Sequence, residues 1–357
     1  PIYSKLRSQN SDYVAIKYFK KFFYKVTLLL ILLMIFFQIF MPFVVSVLAP
    51  GFIENKEVTN QIITLTRITI IFMPLISAVA LLGVATNVSG RFWILSFTPI
   101  ILNSSIILSC LSISDYWAIK SLPLGIAMVI GGIIQLIFMI VMIKKYKIFN
   151  SKKLEKQIDI KNNESVINSH IKQTWRRFLP AAFGGGILQI NLLVDTILAS
   201  LLGYGSVSYL YFADRVTQLP LGIIGVALGT SLLTSLSRAS AQNDIKQFSK
   251  ELIISLKIGL FFSIPAAFVF IFYNDLLIKV LFERGEFTIN ETKQTSVAFL
   301  AYSLGIPAFI MMKSCQPAFL ATGNTKTPMY ISIILLILNI ILSFILMIFL
   351  NHAGIAL

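Results

Sequence analysis

An all-α membrane fold of many spans is what this 357-residue sequence predicts, and three observations predict it. Hydrophobic residues make up 57% of the chain and charged residues 13%, against about 45–50% and about 25% in soluble domains. The charges gather in a few places and leave long unbroken apolar runs. Those runs do not alternate with a period of two, which excludes a β-barrel.

A helix rises about 1.5 Å per residue, so about 20 apolar residues cross the hydrocarbon. Nine segments meet that requirement: 26–48, 68–88, 92–113, 122–143, 178–202, 207–236, 252–282, 298–321 and 329–350. A tenth starts near Ala353. The expected organisation is an N-lobe of four spans over 1–149, a basic cytoplasmic linker over 150–177, and a C-lobe over 178–357. The C-lobe holds five spans and the start of a sixth. The linker is rich in Lys, Asn, Ser and Gln, and reads as a solvated loop or as a short helix lying on an anionic leaflet. The chain opens on Pro1 instead of Met and closes inside a new apolar segment, so it reads as a piece of a longer protein.

Orientation follows from the basic residues. Lys and Arg collect in 1–25, at Arg91, across 144–177, in 238–250 and at Lys326, whereas the opposite side carries only Lys56, Arg67, Lys120, Arg284 and Lys293. The rich side is expected to be cytoplasmic. This also accounts for the net charge of +15 without a nucleic-acid partner, for which no binding module is present. Cys110 and Cys315 lie far apart in apolar stretches and read as packing residues. His170 and His352 are too distant in sequence to form a metal motif. No Gly-rich phosphate loop, GxSxG or acidic cluster is present, so an enzyme is not expected, and neither is a cofactor.

An internal repeat adds to this. A displacement of about 233 residues carries Pro74 onto Pro307 and Gly90 onto Gly323. Asn103 meets Asn339 after three extra residues, Lys25 meets Lys257, and LAPGF (48–52) faces LFERGEF (281–287). Both copies run in the same direction through the membrane. Parallel repeats build two pseudo-symmetric lobes with a substrate site near the midplane, which is a transporter architecture. The second copy has two leading spans that the first lacks, so two spans are expected ahead of Pro1.

The sixth segment contains Asp214 and Arg215, about 12 Å in from its outer end. A charge at that depth facing lipid costs from about 3 to over 10 kcal/mol, so Arg215 must face protein or water. Asp214 does not simply neutralise it, because adjacent helix residues point about 100° apart. Either Arg215 forms an interhelical ion pair that holds the packing, or it is an anion site lining a cavity beside Asp214. Its planar fork suits phosphate. Pro220 and then Gly222, Gly225 and Gly229 follow in the same segment, a pattern that lets a helix bend and pack closely.

Asp195 is the second buried charge, with Gln189, Asn191 and Thr196 nearby. It is expected to be protonated, paired or bound to a cation. Asn339 and Ser343, in the ninth segment, are candidate co-ligands for a coupling Na⁺, or Asp195 carries H⁺. The alternative is a hydrogen-bonded Asp that joins two helices. Lys257 and Lys279 sit near span ends and can snorkel. Lys313, between Pro307 and Pro317, is a candidate cavity residue.

The stretch GSVSYLYFADRVTQLPLGIIGVALGTSLLTSLSR (205–238) resembles the signature of the MurJ/MviN family, the lipid II flippases of peptidoglycan synthesis. QINLLVDTILASLL (189–202), LAPGF (48–52), FTPIILNSS (97–105) and KTP (326–328) extend the likeness over essentially the whole chain. The resemblance implies two six-helix lobes plus two C-terminal helices, in the MATE-like multidrug/oligosaccharidyl-lipid/polysaccharide (MOP) exporter superfamily. On that mapping the chain holds helices three to eleven and the start of twelve. It lacks the first two helices with their cavity arginines, and the last helices. The resemblance further implies a bacterial inner membrane, lipid II as substrate, membrane lipids and the wall-synthesis machinery as partners, and alternating access. Arg215 matches the family's cavity arginine on the eighth helix and would neutralise pyrophosphate. The remaining alternatives are a cation-coupled drug or lipid-linked oligosaccharide exporter of the same superfamily, and a non-transporting scaffold for wall synthesis.

Overall fold

The computed structural model describes residues 3, 6–7, 12–111, 117, 119, 121–149, 160–324 and 326–357. All regular elements among the described residues are helical. Eight of the helices are long and apolar enough to cross a membrane, and a shorter apolar stretch covers Gln189–Leu201. The chain is therefore a multi-pass membrane protein.

Two compact units divide the chain, one of residues 1–47 and 52–182, the other of 48–51 and 183–357. The first contains α1 (Asp12–Ile39), α2 (Met41–Leu48, less its last residue), α3 (Lys56–Thr69), α4 (Phe72–Val88), α5 (Phe92–Cys110), α6 (Leu122–Lys145) and the start of α7 (Ile160–Leu201). The second contains the rest of α7, α8 (Ser206–Pro220), a π-helical turn (Leu221–Gly225), α9 (Val226–Ala241), α10 (Ile245–Phe272), α11 (Asn274–Phe282), α12 (Ile289–Ala321), α13 (Lys326–Leu350) and α14 (His352–Ala356).

Three boundaries differ from the sequence expectation. The run 26–48 is not one span: α1 starts at Asp12, and a bend at Phe40 separates it from α2. Pro42 has no N–H to offer the carbonyl of Gln38, so the hydrogen-bond ladder is interrupted at this bend. The run 252–282 breaks likewise between α10 and α11, where Asn274 Nδ2 donates to Ile271 O at 2.6 Å.

The third difference concerns the expected linker. Residues 150–159 lie outside the described residues, but 160–177 are helical and continue without interruption into 178–201. Ile167, Ile171 and Trp175 fall on one helical stripe and pack into a cluster with Tyr18 and Phe19 of α1. The polar side pairs too: Lys17 with Glu164 at 3.6 Å, Lys21 Nζ with Asn168 Oδ1 at 2.9 Å, and Tyr18 with Thr174 through their hydroxyls at 2.5 Å. A stripe spaced i, i+4, i+8 docks even a polar segment, and composition alone hides it.

The repeat is explicit in the helices. The displacement that carries Pro74 onto Pro307 lays α1 on α10 end for end, and α3 with α4 on α12. The N-caps correspond as well: Asn55 opens α3 and Thr288 opens α12. Gly90 and Gly323 close α4 and α12 in left-handed conformations, with φ of 75° and 74°. Arg91 N donates to Thr86 O, and Asn324 N donates to Phe319 O in the same relative position. This is the helix-ending turn that glycine allows at no steric cost.

Side-chain burial reverses the soluble pattern. Leu, Ile and Phe along α1, α10 and α13 are largely exposed, while Thr86, Thr98, Gln135, Ser255, Ser303 and Ser314 are buried. Lipid is as apolar as leucine, so helices pack through small and hydrogen-bonding residues instead. In α5, Pro99 leaves the carbonyl of Leu95 without its helical N–H. Thr98 Oγ1 fills that place at 2.9 Å, and Gln135 Nε2 of α6 donates to Thr98 O at 2.6 Å. Thr98→Val is expected to cost roughly 1 kcal/mol and to lower the melting temperature in detergent. Thr98→Ser, which keeps the hydroxyl, should melt close to the parent chain; equal melting of all three would remove this role.

Candidate functional site

The segment that carries the two membrane-depth acids and the arginine is built around a tight turn. α7 ends at Leu201, and Gly203 and Gly205 adopt φ of 112° and 95° before α8 starts. Only glycine enters this region without strain. Along α8, Ser206, Leu210, Ala213, Val216, Thr217 and Pro220 are buried in one stripe, which packs on α12 and α14.

Arg215 lies off that stripe and is exposed on the face its own unit leaves uncovered. Its guanidinium stacks on the ring of Tyr211, one turn earlier, at 4.7 Å from the centroid. Among the described residues it forms no ion pair. Asp214 is half-buried and accepts from Gln218 Nε2 at 2.6 Å, so it is engaged along its own helix. The interhelical ion pair weighed for Arg215 is therefore not observed among the described residues.

Where a bend was expected after Arg215, the helix changes type. Pro220 ends α8, and the next turn widens to a π-helix at Leu221–Gly225. Such turns break the regular hydrogen-bond ladder. The glycines then divide in role. A Cβ at Gly222 would meet nothing within 4 Å, but one at Gly225 would lie 3.4 Å from Lys313 Cγ, and one at Gly229 would lie 3.6 Å from Lys313 O. Pro317 leaves that Lys313 carbonyl without its i+4 donor, so Gly229 sits where α12 is locally opened. Lys313 thus serves first as the surface on which α9 packs. Its stem lies against Gly225, its side chain is exposed, and no contact joins it to Arg215 among the described residues.

Asp195 is on α7. Asn191 Nδ2 donates to its Oδ2 at 3.3 Å, and its Oδ1 is buried without a hydrogen-bond partner among the described residues. Asn339 Oδ1, on α13, is buried and unpartnered in the same way, and Ser343 is 3% exposed. An unsatisfied buried acceptor costs roughly 1–3 kcal/mol. No hydrogen bond joins Asp195 to Asn339 or Ser343 among the described residues. The structure adds Tyr302 of α12, which lies within electrostatic reach of both Asp195 and Asp214.

Three residues near the site escaped the sequence reading. Tyr211 was legible from its i−4 spacing to Arg215, and Gln218 from its i+4 spacing to Asp214. His352 falls outside the nine predicted spans. It is 6% exposed, with Nε2 at 2.8 Å from Gln294 O and its ring 5.5 Å from Tyr209, so it ties α14 to α12 and α8.

Comparison with known proteins then places the chain. The sequence model of the family described as "Lipid II flippase MurJ" matches residues 1–357. The chain belongs to the MurJ family. A probable lipid II flippase MurJ from Rickettsia prowazekii (strain Madrid E) is 34% identical over 356 residues, covering 100% of this chain and 68% of the relative. A probable lipid II flippase MurJ from Vibrio cholerae is 33% identical over 292 residues, covering 82% of this chain and 54% of the relative. The chain thus spans between about half and two thirds of these MurJ relatives. A solved MurJ in an inward closed conformation superposes with a TM-score of 0.80 at 28% identity, covering 99% of this chain and 71% of that one. An inward-facing MATE-family multidrug transporter of the MOP superfamily gives 0.73 at 11% identity, over 92% of this chain and 74% of that one. The MATE likeness shows a shared fold and nothing about substrate.

Proposed function

We propose that this chain is the transporting core of a lipid II flippase. In the full-length protein it would move the undecaprenyl-pyrophosphate-linked disaccharide-pentapeptide from the cytoplasmic to the periplasmic leaflet of the bacterial inner membrane. It would act as a transporter and not as an enzyme, by alternating access, with its basic loops cytoplasmic. The single observation that carries this reading beyond family membership is Arg215: an ionised fork in an apolar helix, uncovered in its own unit and held by the Tyr211 ring. A permanent cation without a carboxylate partner among the described residues is suited to a phosphate ligand. The π-helical turn after Pro220 provides a place where the helix can flex as the cavity changes its opening.

The test is lipid II translocation by the full-length protein in vesicles, with and without Na⁺ and a membrane potential. Absence of translocation by intact, folded protein would overturn the reading.

Asp195 Oδ1 and Asn339 Oδ1 are two buried oxygen acceptors without donors, the donor chemistry that suits a hard cation. Na⁺ there would supply positive charge to neutralise Asp195, and H⁺ would do so by protonating it. Ser343 contributes at most a neutral hydroxyl. Asp195→Asn in the full-length protein is expected to leave translocation insensitive to Na⁺ and proton gradients. If transport by the variant still follows those gradients as the parent does, Asp195 is not the coupling residue.

A further inference from the structure

We propose that the first unit carries a binding site for the phosphate of an anionic glycerophospholipid, formed by Lys20, Lys144 and Lys147. These lysines line one cavity of about 430 Å³, whose lining also includes Leu82, Ile143 and Phe149. They come from separate places: Lys20 from α1, Lys144 from the last turn of α6, and Lys147 from the turn beyond it. Among the described residues none of the three ammonium groups has an ion-pair or hydrogen-bond partner. Cationic and apolar side chains lining one cavity match a phosphodiester with the first methylenes of its acyl chains, and basic pockets between spans are used in this way.

Two further observations separate this site from lysines that merely snorkel. The first is the backbone of Lys147, which has φ of 51°. It closes α6 as Gly90 closes α4 and Gly323 closes α12, with Ile148 N donating to Ile143 O. Glycine takes this conformation without strain and lysine does not. A strained residue at a helix end is a pointer to function. The dipole of α6 accounts for a cation at Lys144, but not for Lys147 beyond the helix or for Lys20 on another one. The second is depth. Tyr146 lies between Lys144 and Lys147 in the chain, with Arg91 4.1 Å over its ring and Trp93 at 6.4 Å, and such Trp and Tyr groupings mark the headgroup level. Lys145 is used differently, lying 5.9 Å over the Tyr146 ring. By contrast, the cavity beside Lys246, Lys250 and Lys257 is lined by α10 alone.

The experiment titrates the purified chain with short-chain phosphatidylglycerol, phosphatidylcholine of the same length, or inorganic phosphate. It is read by native mass spectrometry and by melting temperature. Phosphatidylglycerol is expected to be retained and to raise the melting temperature, and the other two are not. Lys147→Gly is expected to weaken phosphatidylglycerol binding about tenfold while melting at or above the parent temperature without lipid, since glycine relieves the backbone. The pair Lys20→Gln and Lys144→Gln should weaken it further. Equal retention of the two lipids would overturn the proposal, as would phosphate binding as tightly as the lipid. Unchanged phosphatidylglycerol affinity in Lys147→Gly would also overturn it.

Discussion

Arg215→Lys in the full-length protein is expected to slow lipid II translocation by about tenfold, and Arg215→Ala by about a hundredfold, at unchanged membrane abundance. A charge-assisted hydrogen bond is worth about 1.5–3 kcal/mol, and each 1.4 kcal/mol is a factor of ten. Lysine keeps the charge but replaces a two-pronged planar donor with a single point. Loss of abundance is not expected, because Arg215 is exposed and forms no ion pair among the described residues. Tyr211→Leu should give a smaller loss, of a few-fold, since an exposed cation–π contact is worth about 0.5–1 kcal/mol. The measurement is the initial translocation rate in vesicles, normalised to reconstituted protein. Full activity in both Arg215 variants would remove the arginine from the substrate site.

Gly51→Ala is expected to be the most damaging single methyl group that can be added to the second unit. Gly51 belongs to the short 3₁₀ turn Pro50–Phe52, inside the LAPGF motif. A Cβ there would lie 1.7 Å from Ser200 O, 2.4 Å from Ser200 C and 2.9 Å from Leu201 N. All three are backbone atoms at the end of α7, so no side chain can rotate away. The turn would have to move off α7, breaking the bond from Gly51 N to Ser200 Oγ at 3.3 Å. Overpacking of this kind costs about 1–3 kcal/mol and occasionally more. Gly222→Ala is the control: it meets open space and should melt near the parent temperature. The comparison is made by thermal unfolding in detergent, and equal melting of Gly51→Ala and the parent would show that the approach is not required.

These two residues also mark what could be read before folding. Arg215 announced itself because a charge in an apolar run is costly wherever the run goes. Gly51 did not, because its reason lies at Ser200, 149 residues away. A helix in 160–177 was one of two readings, but its docking on α1 was hidden by polar composition, although Ile167, Ile171 and Trp175 carried the periodicity. The division among Gly222, Gly225 and Gly229 was equally invisible, since spacing permits close approach without naming the partner. That partner is Lys313, whose carbonyl Pro317 leaves open.

What the amino-acid sequence determined by itself was local: the apolar runs, the helix ends at Gly90 and Gly323, the duplication, and the misplaced charges. A helix closes its hydrogen bonds within four residues, so its ends are written beside it. The tertiary structure decided which face of each helix is covered. It engaged Asp214 with Gln218 along its own helix while leaving Arg215 exposed on the ring of Tyr211, and among the described residues it left one buried oxygen each of Asp195 and Asn339 unsatisfied. In a membrane an apolar side chain is equally at ease against lipid or against another helix. Hydrophobicity therefore says that a segment spans, and only packing says which way it faces.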